Sequence, residues 1–353
     1  MKTKNSVNSN ILSIIVFLLG SIGLIAVMAF DKLYWRTGII AEGWPNTSPG
    51  HLVRSIIIFI SVFAIFWSLI GDRKLKLTLD ESNSTSWHLL YILGTLLVSS
   101  LILVLFIFEP SIFSKLSRED GPIEWGSALL LFGSSIIATI SFLKSRYVLN
   151  IPKHTQLSLA FLSLVFFVMA MEEVSWFQRV LEIETPKTFA GNSQSEMNLH
   201  NFATNYVENI YYFGAFLFLM VLPSIRFLYP SISNNDYLRI FVARPFIAVI
   251  GSIAFAYNFD MWNIIFTQIA FFYSVVILFA FAIFNSNKNE KYIILFTILL
   301  ITITQVLFLV NGANFARLWE VTEYKEFFIP LALFIYSWDV FTHINRLYLL
   351  EKS

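Results

Sequence analysis

Runs of apolar residues close to 20 long, separated by short polar stretches, recur along the whole chain. Each run is long enough for a helix to cross a hydrocarbon core about 30 Å thick. Backbone facing lipid must bond to itself, which makes helices the expected solution for runs of this length. The pattern predicts ten spans, at 11–30, 55–71, 88–109, 124–143, 157–178, 204–224, 242–258, 262–284, 292–310 and 327–346. The seventh and eighth are separated only by the turn Asn258-Phe259-Asp260-Met261. The longest connections, 31–54 and 179–203, are too short for an independent core. The expected fold class is therefore all-α: a polytopic integral membrane helical bundle, one transmembrane domain over residues 1–353. Residues 11–30, which follow Lys2 and Lys4, also fit a signal peptide ending at Val27-Met28-Ala29. That apolar run is longer than a usual signal core, which favours a retained span.

Composition agrees. The chain is 57% hydrophobic with 37 Phe, and 13% charged where a soluble domain would carry about 25%. There is no Cys, which excludes a disulfide, a thiolate ligand and a cysteine nucleophile. The net charge of +1 hides a sorting by side. If both termini share a side, that side holds 15 of the Lys and Arg residues and the other side 9. The positive-inside rule then makes both termini cytoplasmic, in a multi-pass protein of the bacterial cytoplasmic (inner) membrane. Acidic residues split the other way, 6 against 16, with Asp339 inside the last span. An acidic outer face is no part of that rule, and a function on the outer side is its natural explanation.

The most informative polar residues are Glu172 and Glu173, side by side at the end of an apolar run uncharged since His154. A carboxylate at the bilayer centre costs about 2.5–3.5 kcal/mol on insertion scales, so such groups are retained when they pair, bind ions or handle protons. Glu172 is 15 residues beyond Leu157, roughly 22 Å along a helix, which places the pair in the outer third of the membrane. Glu172, Trp176 and Arg179 are spaced for one helix face. Neutralisation by Arg179 would satisfy only one of the two carboxylates. After the turn at Pro186, helical spacing resumes over 194–205, with Glu196 and His200 one turn apart as helical metal sites use them.

Glu172-Glu-Val-Ser-Trp-Phe-Gln-Arg179, followed by Asn-Ser-Gln-Ser-Glu-Met-Asn-Leu-His-Asn at 192–201, resembles a family of uncharacterised bacterial multi-pass membrane proteins. Their pattern is E-E-[IV]-S-W-x-Q-R, a short loop with a proline, then N-x-Q-x-E-x-N-L-H-N. The acidic turn at 119–124 is similar to theirs as well, whereas Phe177 stands where the resemblance leads one to expect a glycine. The resemblance covers about 35 residues and that turn; it implies a shared site and names no activity.

These residues make up the expected site. Glu172, Glu173 and His200 are the candidate catalytic groups, and Glu172, Glu173, Glu196 and His200 the candidate metal ligands. Carboxylates and amides with one imidazole favour a hard divalent cation, Mg²⁺, Mn²⁺ or Ca²⁺ over Zn²⁺. Gln178, Arg179, Asn198, Asn201, Asn314 and Arg317 are candidate substrate contacts, the guanidinium groups suiting phosphate or carboxylate. Glu320, Glu323 and Glu326 recur beside Arg317, as in a membrane-surface helix with its own ion pairs. Asp339 and His343 form a possible second site, expected to lie too deep to touch the Glu pair. The leading expectation is an enzyme acting on a lipid or lipid-linked substrate at the outer leaflet. A proton- or cation-coupled transporter and a non-catalytic scaffold are the alternatives. Membrane lipids are the expected partners; the scattered basic loops do not suit nucleic acid, and the sequence leaves oligomeric state open.

Overall fold

The computed structural model describes residues 2–36, 40, 42–71, 73, 75–79, 87–189, 191, 196–199 and 202–352, with the side chains of 2–10 excepted. His200, Asn201 and residues 192–195 of the second motif lie outside these. The helices are α1 (Lys2–Phe30), α2 (Pro49–Ile70), α3 (Trp87–Phe108), α4 (Pro110–Leu116), α5 (Pro122–Ser145), α6 (Lys153–Glu173), α7 (Thr204–Phe216), α8 (Leu222–Leu228), α9 (Asp236–Phe241), α10 (Pro245–Gly251), α11 (Ile265–Phe284), α12 (Lys288–Val310) and α13 (Glu320–Lys352). One π turn, Leu217–Val221, joins α7 to α8 into a single rod. Among the described residues no strand occurs, and nine helices are long and apolar enough to cross a membrane. A multi-pass membrane protein follows from them.

The seventh expected span, 242–258, is not a continuous helix. Pro245 opens the seven-residue α10, the chain breaks after Gly251, and a single 3-10 turn follows at Ala254–Ala256. This run is apolar because it is core. From Pro245 to Met261 every residue is buried. Broken backbone at membrane depth is tolerated where protein rather than lipid surrounds it. Its two ends are pinned along α13: Arg244 Nε donates to Asp339 at 2.8 Å, and Thr322 Oγ1 donates to Asp260 at 2.7 Å. The 17 residues from Thr322 to Asp339 rise roughly 25 Å, so the broken segment runs antiparallel to α13 across most of the bundle.

α13 and α5 form the frame of the site. Gly126 and Gly133, seven apart on one face of α5, let it lie against Phe327 and Phe334 of α13; a Cβ at Gly133 would stand 2.7 Å from the Phe334 ring. Small residues allow such close approach between spans. The surface-helix expectation for 320–326 fails for the same reason. α13 enters the core from its first turn, with Glu320, Val321 and Tyr324 fully buried.

Candidate functional site: a carboxylate cavity

At the end of the bundle where α5 and α13 begin and α6 ends, nine carboxylates line one cavity of about 350 Å³. Glu124 comes from the first turn of α5, Glu173 from the last of α6, Glu208 from the second turn of α7, and Glu323 and Glu326 from α13. Loops bring Glu42, Glu119, Glu196 and Asp260. The guanidinium of Arg179 is the one basic group among the described lining residues. Two like charges about 4 Å apart cost roughly 4 kcal/mol at an effective dielectric of 20, against a typical fold stability of about 5–15 kcal/mol. So many carboxylates cannot all be ionised here without added positive charge.

Some of them are accounted for. Arg179 reaches Asp120 at 2.7 Å and Glu119 at 3.4 Å, and it pairs with Glu196. Glu196 also accepts from Ser175 Oγ at 2.5 Å and Asn198 Nδ2 at 3.0 Å. Glu326 accepts from the Tyr212 hydroxyl at 2.5 Å, and Asp260 from Thr322. Glu173 makes no hydrogen bond or ion pair among the described residues, and it lies in electrostatic range of Glu326, Glu323 and Glu124. One oxygen of Glu42 is buried without a hydrogen-bond partner. Burial, and then the charge of Asp260, push the Glu42 carboxyl up from its ordinary value. Pro330 cannot donate to the backbone carbonyl of Glu326, which loses its helical partner beside the cavity. Among the described residues, no three acidic or imidazole side chains already close round a point where an ion could sit.

The chain after α6 departs from the expected helix. Ser175, Trp176 and Phe177 have φ of 44°, 54° and 59°, three successive left-handed residues without a glycine. Each costs roughly 1–2 kcal/mol. Asp120 and Glu182 share the conformation, so strained backbone gathers around this cavity. Here Phe177 repays part of the strain by stacking on Phe132 at 6.1 Å.

The expected face of Glu172, Trp176 and Arg179 therefore does not form as a helix. Glu172 instead accepts from Trp176 Nε1 at 2.8 Å and from the Leu199 backbone N–H at 2.6 Å, clasping the second motif to the first. Gln178 adds to the clasp: its Oε1 accepts from the Met197 N–H at 2.5 Å, and its Nε2 donates to Thr185 Oγ1 at 2.8 Å. Glu196 and Asn198 lie on irregular chain held by these bonds, and α7 opens at Thr204, so among the described residues the helical spacing expected over 194–205 is not met at 196–199.

The remaining expected residues lie elsewhere. Asn314 is exposed on a 3-10 turn. Arg317 donates to the Ser117 carbonyl at 2.8 Å and the Ser114 carbonyl at 3.2 Å, tying α4 to the start of α13. Asp339 is paired with Arg244, and His343 lies among four arginines with its Nε2 buried and, among the described residues, without a hydrogen-bond partner. Sequence reasoning did not assign Glu42, Glu119, Glu124, Glu208, Asp260, Glu323 or Glu326 to the site. The signal was present as the acidic excess on one side of the predicted topology.

An apolar groove of about 370 Å³ between α6 and α7 shares Glu173, Glu208 and Glu326 with the cavity, and Val168, Leu199 and Val207 at its rim are exposed. The site is thus polar within and reachable from the apolar flank of the bundle. Comparisons with family models, curated proteins and solved structures return no match, so the site's own geometry is what bears on function.

Proposed function

We propose that this chain is a multi-pass membrane protein that binds a hard divalent cation in the carboxylate cavity and acts with it on a lipid substrate at the outer leaflet. The observation that carries the reading is the imbalance of charge: nine lining carboxylates face one lining guanidinium, itself shared among Glu119, Asp120 and Glu196. An all-oxygen donor set suits Mg²⁺, Mn²⁺ or Ca²⁺, and Mg²⁺ in particular keeps several of its waters. A cavity of about 350 Å³ accommodates a partly hydrated ion without the carboxylates closing on it beforehand. The outer placement rests on the sequence's charge asymmetry.

Within this reading the cation would polarise a headgroup oxygen. Glu173, which has no hydrogen-bonding partner among the described residues, is the group available to ligate the ion or take a proton. Arg179 fixes the mouth, and Glu172 and Gln178 hold the loop that carries Glu196 and Asn198. The groove between α6 and α7 supports a lipid over a water-soluble substrate, because it brings hydrocarbon to the same three carboxylates.

Calorimetric titration of the detergent-purified protein with Mg²⁺, Mn²⁺, Ca²⁺ and Zn²⁺ tests the proposal. Saturable binding of an oxygen-preferring cation, lost in Glu173→Gln and Glu326→Gln with folding intact, is the expected result. Wild-type protein that binds none of the four overturns it.

A further inference from the structure

On the opposite flank of α7 a second cavity, of about 250 Å³, is lined by Ile210, Phe213, Phe216, Phe255, Phe266 and Ala270. Its rim is open to the apolar outside of the bundle, with Ile210 72% and Phe213 44% exposed. At membrane depth the solvent there is hydrocarbon, so what fills such a groove is a chain. Its inner end is different. Lys325 also lines it, and this side chain is only 2% exposed. The ammonium lies over the Tyr212 ring, 4.5 Å from its centre, and makes no hydrogen bond or ion pair among the described residues. Asn209 and Asn258 line the same cavity.

A buried ammonium holds three donors. Leaving a polar group of this kind unmatched costs at least the penalty for an unmade hydrogen bond, about 1–3 kcal/mol and more for a charge. Lys325 also stands at the boundary of the carboxylate cavity, in electrostatic range of Asp260, Glu326, Glu208 and Glu42. Part of its role is therefore to balance those charges. They attract it from the cavity side, while its own side chain lines the groove.

We infer that this groove binds a lipid with an anionic phosphate headgroup, its chain against Phe213 and Phe266 and its phosphate on Lys325, within reach of a cation in the carboxylate cavity. The inference rests on the proposed cation site and adds the class of substrate. Phosphate next to so many carboxylates is repelled unless the cation is present. Lipid and cation must therefore bind cooperatively, each raising the affinity for the other by the same factor.

The experiment uses full-length protein in mild detergent with an equimolar mixture of phosphatidic acid, diacylglycerol and phosphatidylcholine of identical chains. Native mass spectrometry reads the retained lipid, with and without Mg²⁺. Wild type is expected to retain phosphatidic acid over diacylglycerol by roughly tenfold or more in Mg²⁺, and by less without it. Lys325→Met should abolish the preference and Lys325→Arg should keep most of it. Ala270→Phe, which fills the groove, should lower retention of phosphatidic acid while inorganic phosphate, titrated separately, binds as before. A folded Lys325→Met with wild-type preference overturns the inference. So does an Ala270→Phe variant that retains lipid unchanged while inorganic phosphate displaces it, since that describes a site for free phosphate. Should Lys325→Met not fold, the Ala270→Phe result decides. Loss of Mg²⁺ binding in wild type with lipid preference intact would sink the cation site alone; Mg²⁺ binding without lipid preference would sink this inference alone.

Discussion

Two polar clusters sit along α13, 13 residues apart, and they are built on opposite terms. Among the described residues around Glu323 and Glu326 acidic groups outnumber basic ones, and Glu173 has no hydrogen-bonding partner there. Around Asp339 each carboxylate is matched by an arginine. Arg244 holds the Asp339 carboxylate, Arg226 donates to the carbonyls of Val242 and Arg239, and Arg239 pairs with Asp236 at 2.9 Å. Between them α13 buries Phe328, Ile329, Ala332 and Leu333, an apolar stretch of the core. Both clusters look alike as intramembrane polar residues in sequence. The matched one pins the broken segment to α13, and the unmatched one is where a ligand can bind.

Breaking the matched cluster should have the largest effect. Arg244→Ala leaves Asp339 partly buried without its partner and is expected to cost roughly 2–4 kcal/mol, read as a lower melting temperature in detergent. Replacing Arg244 and Asp339 together by Leu should cost much less, because no charge is stranded. If Arg244→Ala instead leaves stability intact and abolishes cation binding at the far cluster, the two are one pathway, and cation-coupled transport becomes the better reading.

The unmatched cluster should respond with the opposite sign. Without added cation, Glu326→Gln or Glu173→Gln removes like-charge repulsion, so the melting temperature should stay level or rise, by the equivalent of about 1 kcal/mol. Cation affinity should fall by roughly tenfold or more, read by calorimetry. Destabilisation in both variants would mean that these carboxylates are structural after all.

A smaller effect tests the strained turn beside the cavity. Phe177→Ala loses the stack on Phe132 and keeps the left-handed φ of 59°. Phe177→Gly loses the same ring but relieves the backbone, so the Gly variant should be the more stable of the two by about 1 kcal/mol. Equal melting temperatures would mean that the left-handed backbone at position 177 stores no appreciable strain.

The mildest prediction concerns pH. Burial and Asp260 hold the Glu42 carboxyl above its ordinary 4.5. In the folded protein without cation it binds its proton more tightly than in the unfolded chain. Its contribution to stability is therefore present below 4.5 and lost as pH rises through the raised folded value. Cation must displace that proton, so affinity should increase with pH above 4.5, and calorimetry in buffers of different ionisation enthalpy should report proton release. Affinity independent of pH would exclude Glu42 from the site.

Hydrophobic runs alone settled the helical, multi-pass class and nine of the spans, because period and length act locally. The same signal could not show that 242–258 is broken: an apolar run facing lipid and one enclosed by other helices have the same composition, and only the packing against α13 distinguishes them. The Glu172-Glu173 doublet was legible as exceptional, since charge in an apolar run is costly wherever it lies. Which of the two faces the cavity was not, because that depends on where α6 ends and on three left-handed residues at 175–177. Glu42, Glu124, Glu208, Asp260 and Glu326 come from five segments spread over most of the chain. Sequence fixed their excess and their side, through side-chain chemistry and the asymmetry of charge. Their convergence on one cavity was decided by tertiary structure, because α5, α6, α7 and α13 must first be packed before like charges so far apart in sequence can repel one another, or share a ligand.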